Sequence, residues 1–265
     1  MKPKFHNLIL NLLELYLSVV KHQLRDNVFV DTHLKRQFVE GCHHEDVIES
    51  FFLLLQKVIL FADKARLDFG AVHFKRLFKI AVVEGPTFCE QDYCFRLFMS
   101  LIEEQDKNYD RSGGWLLPQR FEKLFAFLKS SKLNKWRLSK ASVKSLIHMF
   151  LWVNIEHRCL AKVSIEDFLF KTLTPKLDCL PALWKVGLVL EDQENREMIF
   201  DVICSIYLNT DFEENDTFKT LKFQKQFLNR CLRFKGLNSD QSLNQLELLA
   251  LMLDRYQGGR YKDQP

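Results

Sequence analysis

Four groups of side chains in this sequence have types and spacings that could do chemistry. Asp106, Asn108 and Asp110 stand at positions 1, 3 and 5 of a calcium loop of the EF-hand kind. The sixth position needs a turn-forming glycine and holds Arg111; the twelfth needs a bidentate Glu and holds Leu117. Without the turn and the bidentate ligand, Asp106–Pro118 reads as a polar surface loop. The run Cys42-His43-His44-Glu45-Asp46 is dense in metal-capable groups. Adjacent residues cannot all face one ion, and no second Cys/His pair follows at a zinc-site spacing, so this reads as a loop leading into a helix. Cys89 and Cys94 are five positions apart, neither a redox nor a zinc spacing. His148, His157 and Cys159 flank an apolar segment, but nothing in the sequence marks the orienting third group that a thiol nucleophile and its base require.

No Gly-rich phosphate loop, G-x-S-x-G elbow or H-E-x-x-H pair occurs. The sequence therefore implies no enzyme, no cofactor and no metal. Seven cysteines, Cys42, Cys89, Cys94, Cys159, Cys179, Cys204 and Cys231, lie mostly in apolar runs, as reduced thiols do in a cytoplasmic or nuclear protein. Asn11 and Glu14 interrupt the apolar N-terminal run and no small-x-small site follows it. No apolar run reaches the length of about 18 residues that a membrane span needs. A soluble chain without a membrane partner is expected.

Two basic stretches remain. Arg120, Lys123, Lys129, Lys132, Lys135, Arg137 and Lys140 face only Glu122, a local charge of +6. Lys219, Lys222, Lys225, Arg230, Arg233 and Lys235 face no acid at all, again +6. Aromatics interleave with both: Phe121, Phe125, Trp136, Phe223, Phe227 and Phe234. Such a pattern suits an electrostatic face for nucleic acid or an acidic protein. It equally suits solvated helix faces whose aromatics turn inward, and the stripe Phe121, Leu124, Phe125, Leu128 favours the inward reading. The whole chain carries only +4 at pH 7, too little to argue nucleic-acid binding by itself.

The elements that must position these groups are helices. Gly and Pro together number only 15 of 265 residues, too few for a barrel or sandwich, while Phe alone numbers 24. Apolar residues recur at i, i+3, i+4 from end to end. The spacing predicts helices over about 3–22, 44–64, 71–82, 87–104, 119–130, 139–152, 164–172, 177–190, 193–208, 217–234 and 239–256. The segment from His44 is apolar on most faces and should be central. Ser139 and Ser164 are expected N-caps, while Gly236 and the pair Gly258-Gly259 are expected just past helix ends. About eleven antiparallel helices with short connections imply an all-α fold, an α-solenoid-like (armadillo/HEAT-like) array with degenerate repeats. We expect one domain over residues 1–265, with a hinge or large loop at 106–118.

One stretch is specific enough to resemble a family. Leu183-Trp184-Lys185-Val186, Asp192, Ile203 and Ile206-Tyr207-Leu208-Asn209 resemble a helix pair in giant ubiquitin-specific proteases of the fat facets type. The likeness runs from about 165 to 235 and takes in Glu166-Asp167-Phe168 before the pair and Phe227, Cys231 and Arg233 after it. It implies the non-catalytic helical-repeat region of such a deubiquitinase, a scaffold for protein partners in the ubiquitin pathway. The family's Gly-Asn-Thr-Cys and Gly-His-Tyr segments are absent, so no catalytic residue carries over. The residues alone give the same unit, an αα-hairpin with Trp184 in its core. The rival expectation is a helical nucleic-acid binder using Arg120, Lys123, Lys129, Lys132, Lys135, Arg137, Lys219, Lys222, Arg230 and Arg233.

Overall fold

The computed structural model describes residues 11, 14–15, 48–57, 71–83, 88–112, 118–131, 136–164, 169–212 and 217–262. These residues are mostly helical, with one two-stranded antiparallel ribbon among them. The Cys42–Asp46 run, Thr87, Lys132, Lys135 and the segment 165–168 lie outside the described residues. The chain divides into two compact units, Met1–Leu124 and Phe125–Pro265.

The first unit contains helical residues 48–57, α1 (Ala71–Phe78), a π-helical turn (Lys79–Val83), α2 (Phe88–Ser112) and the start of α3 (Pro118–Ser130). Its core explains the phenylalanine excess. Phe74 stacks on Phe98 at 5.4 Å between centroids, Phe98 meets Phe121 edge-on at 5.9 Å, and Phe78 meets Phe95 edge-on at 5.8 Å. Offset and edge-to-face pairs of this kind add to the area they bury. The helix expected to be central is not central over its described part. Ile48, Phe52 and Leu55 are buried, but Leu53 and Leu54 are half exposed. The Asp106 segment also departs from expectation: α2 continues through it to Ser112, so its backbone is helical rather than a loop. Among the residues of that stretch the sequence offers no breaker before Gly113-Gly114, and polar residues alone do not stop a helix.

The second unit comprises the rest of α3, then α4 (Lys140–Glu156), β1 (Leu160–Ser164), β2 (Leu169–Thr172), α5 (Leu180–Val189), α6 (Gln193–Leu208), α7 (Thr217–Cys231) and α8 (Ser239–Lys262). Ser139 is the N-cap of α4, its hydroxyl accepting from the Ser142 N–H at 3.0 Å; Asp192 does the same for α6 through Asn195 at 2.8 Å. The predicted 164–172 helix is instead a hairpin, with Leu160 opposite Thr172 and Lys162 opposite Phe170. Phe170 and Thr172 are buried on either side of exposed Lys171, a strand period rather than a helical one. Thr172 ties the ribbon to the end of α6: its N–H donates to Asn209 O at 2.7 Å and its hydroxyl to Ile206 O at 2.8 Å. Tertiary pairing has overridden a short, ambiguous apolar pattern. Gly258 and Gly259 also sit inside α8, which runs on to Lys262.

α6 is the centre of this unit. It packs against α4, α5, α7, α8 and β2. Its crossing with α5 is close at Gly187, where an added Cβ would lie 2.8 Å from Phe200 Cε1 and 3.1 Å from Ile199 Cγ2. Buried amides hold the helix ends. Asn154, fully buried, donates to Phe150 O and Asp178 O and accepts from the Asp178 N–H. Asn244 donates to Leu188 O at 2.9 Å, and Gln245 donates to Cys231 O at 2.8 Å and Arg233 O at 3.1 Å, capping the end of α7. Leaving such carbonyls buried without donors would cost about 1–3 kcal/mol each.

Candidate functional site

The interleaved aromatics settle how the basic stretches are built. Phe121, Phe125, Trp136, Phe223 and Phe227 are buried, and only Phe234 is exposed. The cations are what these helices offer to solvent, but not all are available. In the first unit the Arg120 guanidinium lies over the Phe74 ring, 5.7 Å from its centroid, while Lys123 is exposed. In the second unit Lys129 is exposed, but Arg137 pairs with Glu191 and Lys140 with Glu194. The acidic turn before α6 therefore neutralises the end of the first stretch.

The second stretch contains no acidic residue. Lys219, Lys222, Lys225, Arg233 and Lys235 are exposed along and after α7, and Arg230 is half-buried. α7 has one buried stripe, Phe223, Phe227 and Cys231, and this is the face it lays on the unit. Phe223 stacks on Tyr207 at 4.4 Å; Phe227 meets both Tyr207, at 5.0 Å, and Trp184, at 5.4 Å. A second apolar stripe looks outward: Phe218, Leu221, Leu228 and Leu232, each 40–72% exposed. With Lys225 these residues fall at i, i+3, i+7, i+10 and i+14, the seam spacing by which one helix receives another. α8 repeats the pattern with Leu243, Leu246 and Leu253 exposed. The heptad spacing of this outer stripe is written in the sequence, where the interleaved lysines mask it.

Where α7 ends, the two basic stretches come together. Ser130 and Ser131 at the end of α3, Trp184 and Lys185 on α5, and Arg230 and Arg233 line one cavity of about 600 Å³. Lys185 is spoken for. Its ammonium donates to Lys129 O at 2.9 Å and to Ser131 O, closing the C-terminal end of α3, and burial lowers its pKa. The Arg230 guanidinium carbon lies over the Trp184 indole, 4.5 Å from its centroid. Burial lowers the Arg230 pKa from its usual value. Trp184 is 2% exposed, a core residue as expected.

Four buried thiols are held protonated by their surroundings. Burial pushes Cys94 well up and Cys159 up, and Cys204 and Cys231 up to about 12. Cys159 Sγ points to the backbone carbonyl of His157 at 3.6 Å, while the His157 ring bonds Asp178 at 2.8 Å. That geometry gives the imidazole an orienting carboxylate but no thiolate to serve. Burial, with Lys144 nearby, lowers the His148 pKa. Among the described residues no three His, Cys, Asp or Glu side chains gather as a metal site would require, and no helix is long and apolar enough to cross a membrane. No protein-family model matches the chain, and no curated protein matches it.

Proposed function

We propose that this protein is a non-catalytic helical scaffold, its helices arrayed in solenoid fashion, that docks a protein partner on the outer face of α7. The observation that carries the reading is the exposed stripe Phe218, Leu221, Leu228, Leu232 on a helix with no acidic residue between Lys219 and Lys235. A stripe of that length extends about 21 Å, close to four helical turns. Its basic flanks favour an acidic amphipathic helix over a second copy of this chain, which would set lysine against lysine. The likeness of residues 165–235 to the non-catalytic repeats of giant deubiquitinases supports the same kind of work, docking without catalysis, and a place in the ubiquitin pathway.

A photo-crosslinking residue at position 228 tests it in cells, with position 254 on α8 as the control. The expected adducts are protein peptides bearing Asp and Glu beside apolar residues at i, i+3, i+7. Adducts to RNA or DNA would instead support the rival reading, for which the exposed Lys219, Lys222, Lys225 and Lys235 speak. Equal crosslinking from both positions would overturn docking on α7.

A further inference from the structure

The cavity at the end of α7 is distinct from the outer stripe. It is bounded by α5, the end of α7, α8 and the end of α3, and no carboxylate lines it. Two arginines three residues apart, Arg230 and Arg233, stand on its wall. Among the described residues neither forms an ion pair. The neighbours that could supply a counter-charge to Arg230 are Tyr207 and Cys231, and burial pushes both up to about 12, so both are neutral at pH 7. A half-buried guanidinium is thus left without an anion in a setting where a charge pair is worth more than in water. The Trp184 ring packs against it at 4.5 Å, and its N–H donors suit a tetrahedral or forked acceptor. Trp184 itself, one of the lining residues, has a buried Nε1–H with no acceptor among the described residues.

We propose that this cavity binds a phosphate monoester, its oxygens held by Arg230 and Arg233. Two guanidinium forks offer more donors than a single carboxylate can accept, and a phosphate carries three terminal oxygens and close to two charges. The cavity is several times larger than a phosphate group and suits a drug-sized ligand. The body attached to the phosphate rests on the apolar lining supplied by Pro181, Leu188 and Leu237. That body is not a nucleobase. Trp184 is buried, with Arg230 over its ring and Phe227 against it at 5.4 Å, so no indole face is free for stacking. The same phosphate chemistry arrives on a phosphorylated serine of another protein or on a small phosphate ester.

Isothermal titration of the full chain distinguishes these sources and tests the site. The probes are inorganic phosphate, glycerol 3-phosphate, and a short Gly-Ser peptide with one phosphoserine beside its unphosphorylated twin. The phosphate-bearing probes should bind and the unphosphorylated peptide should not. Tighter binding of the phosphopeptide assigns the site to a phosphorylated partner; tighter binding of glycerol 3-phosphate assigns it to a small ester. Arg233→Gln should weaken every phosphate probe about tenfold or more, and Arg230→Gln likewise. The Arg233 side chain is exposed, and the bond Arg233 makes to Gln245 is through its backbone carbonyl and survives substitution, so its variant decides the matter even if Arg230→Gln fails to fold. No heat from any phosphate probe at millimolar concentration, or equal affinity in wild type and Arg233→Gln, overturns the proposal.

Discussion

α5–α6 and α7–α8 are consecutive helix pairs in one unit, and they differ in how many faces they bury. α6 hides Ile199, Phe200, Val202, Ile203, Cys204, Ile206 and Tyr207, which is most of its circumference. α7 hides only Phe223, Phe227 and Cys231, one residue per turn. The first pair is apolar over most of its surface because most of it is covered. The second carries more Leu and Phe, but about half of it faces outward. Apolar content alone thus does not separate core from surface. What separates them is whether the apolar residues form one stripe matched by a neighbour or two stripes of which the neighbour covers one. The first pair tells how the unit is held together, the second where its apolar surface is left open.

Truncating Trp184 is the most damaging way to test the first half of that contrast. Trp184→Ala removes a buried indole that touches Phe227 and supports Arg230, and it should cost about 3–5 kcal/mol. Against a total stability of about 5–15 kcal/mol the variant should melt far below the wild type by circular dichroism. A melting temperature within a degree or two of wild type would move Trp184 from the core to the surface and collapse the contrast. A smaller effect sharpens it. Gly187→Ala gains helix propensity, about 1 kcal/mol, in a helix interior. Its new methyl, however, would stand 2.8 Å from Phe200 in a packed core, where overfilling costs about 1–3 kcal/mol. A net loss of about 1 kcal/mol in urea unfolding is expected. A net gain would show that α5 and α6 cross less tightly than Gly187 allows.

The sequence made α6 legible almost to the residue: the expected bounds 193–208 agree with Gln193–Leu208. A long pattern with a good N-cap leaves little choice. Ser139 was legible for the same reason. Ser164–Thr172 was not, because nine residues of mixed apolar character fit either period and the deciding partner, the end of α6, lies over thirty residues away. The cavity was half legible. Arg230 and Arg233 stood out by charge, but Lys185, Gln241 and Gln245 reach the same place from other helices, and only packing brings them there. The assignment of Lys185 to the carbonyls of α3 depends on a contact across more than fifty residues.

The outer face of α7 supplies the smallest effect on stability and the clearest discrimination. Leu221 and Leu232 are each 61% exposed, and neither belongs to the stripe that meets Tyr207 and Trp184. Replacing either by Ser removes apolar area that is already mostly in water, so the transfer term that dominates core truncations is small here. Leu221→Ser and Leu232→Ser should each stay within about 0.5 kcal/mol of wild type in urea unfolding. If docking on α7 is correct, the same two substitutions should abolish the crosslink from position 228, because seam residues one and two turns away remove the surface on which a partner helix sits. Stability and docking would then part company on one helix: Phe227 and Phe223 for the fold, Leu221 and Leu232 for the partner. Should Leu232→Ser instead destabilise by about 2 kcal/mol or more, the cost of losing a buried leucine side chain, the outer stripe would be packed against this chain itself, and α7 would be a core helix like α6.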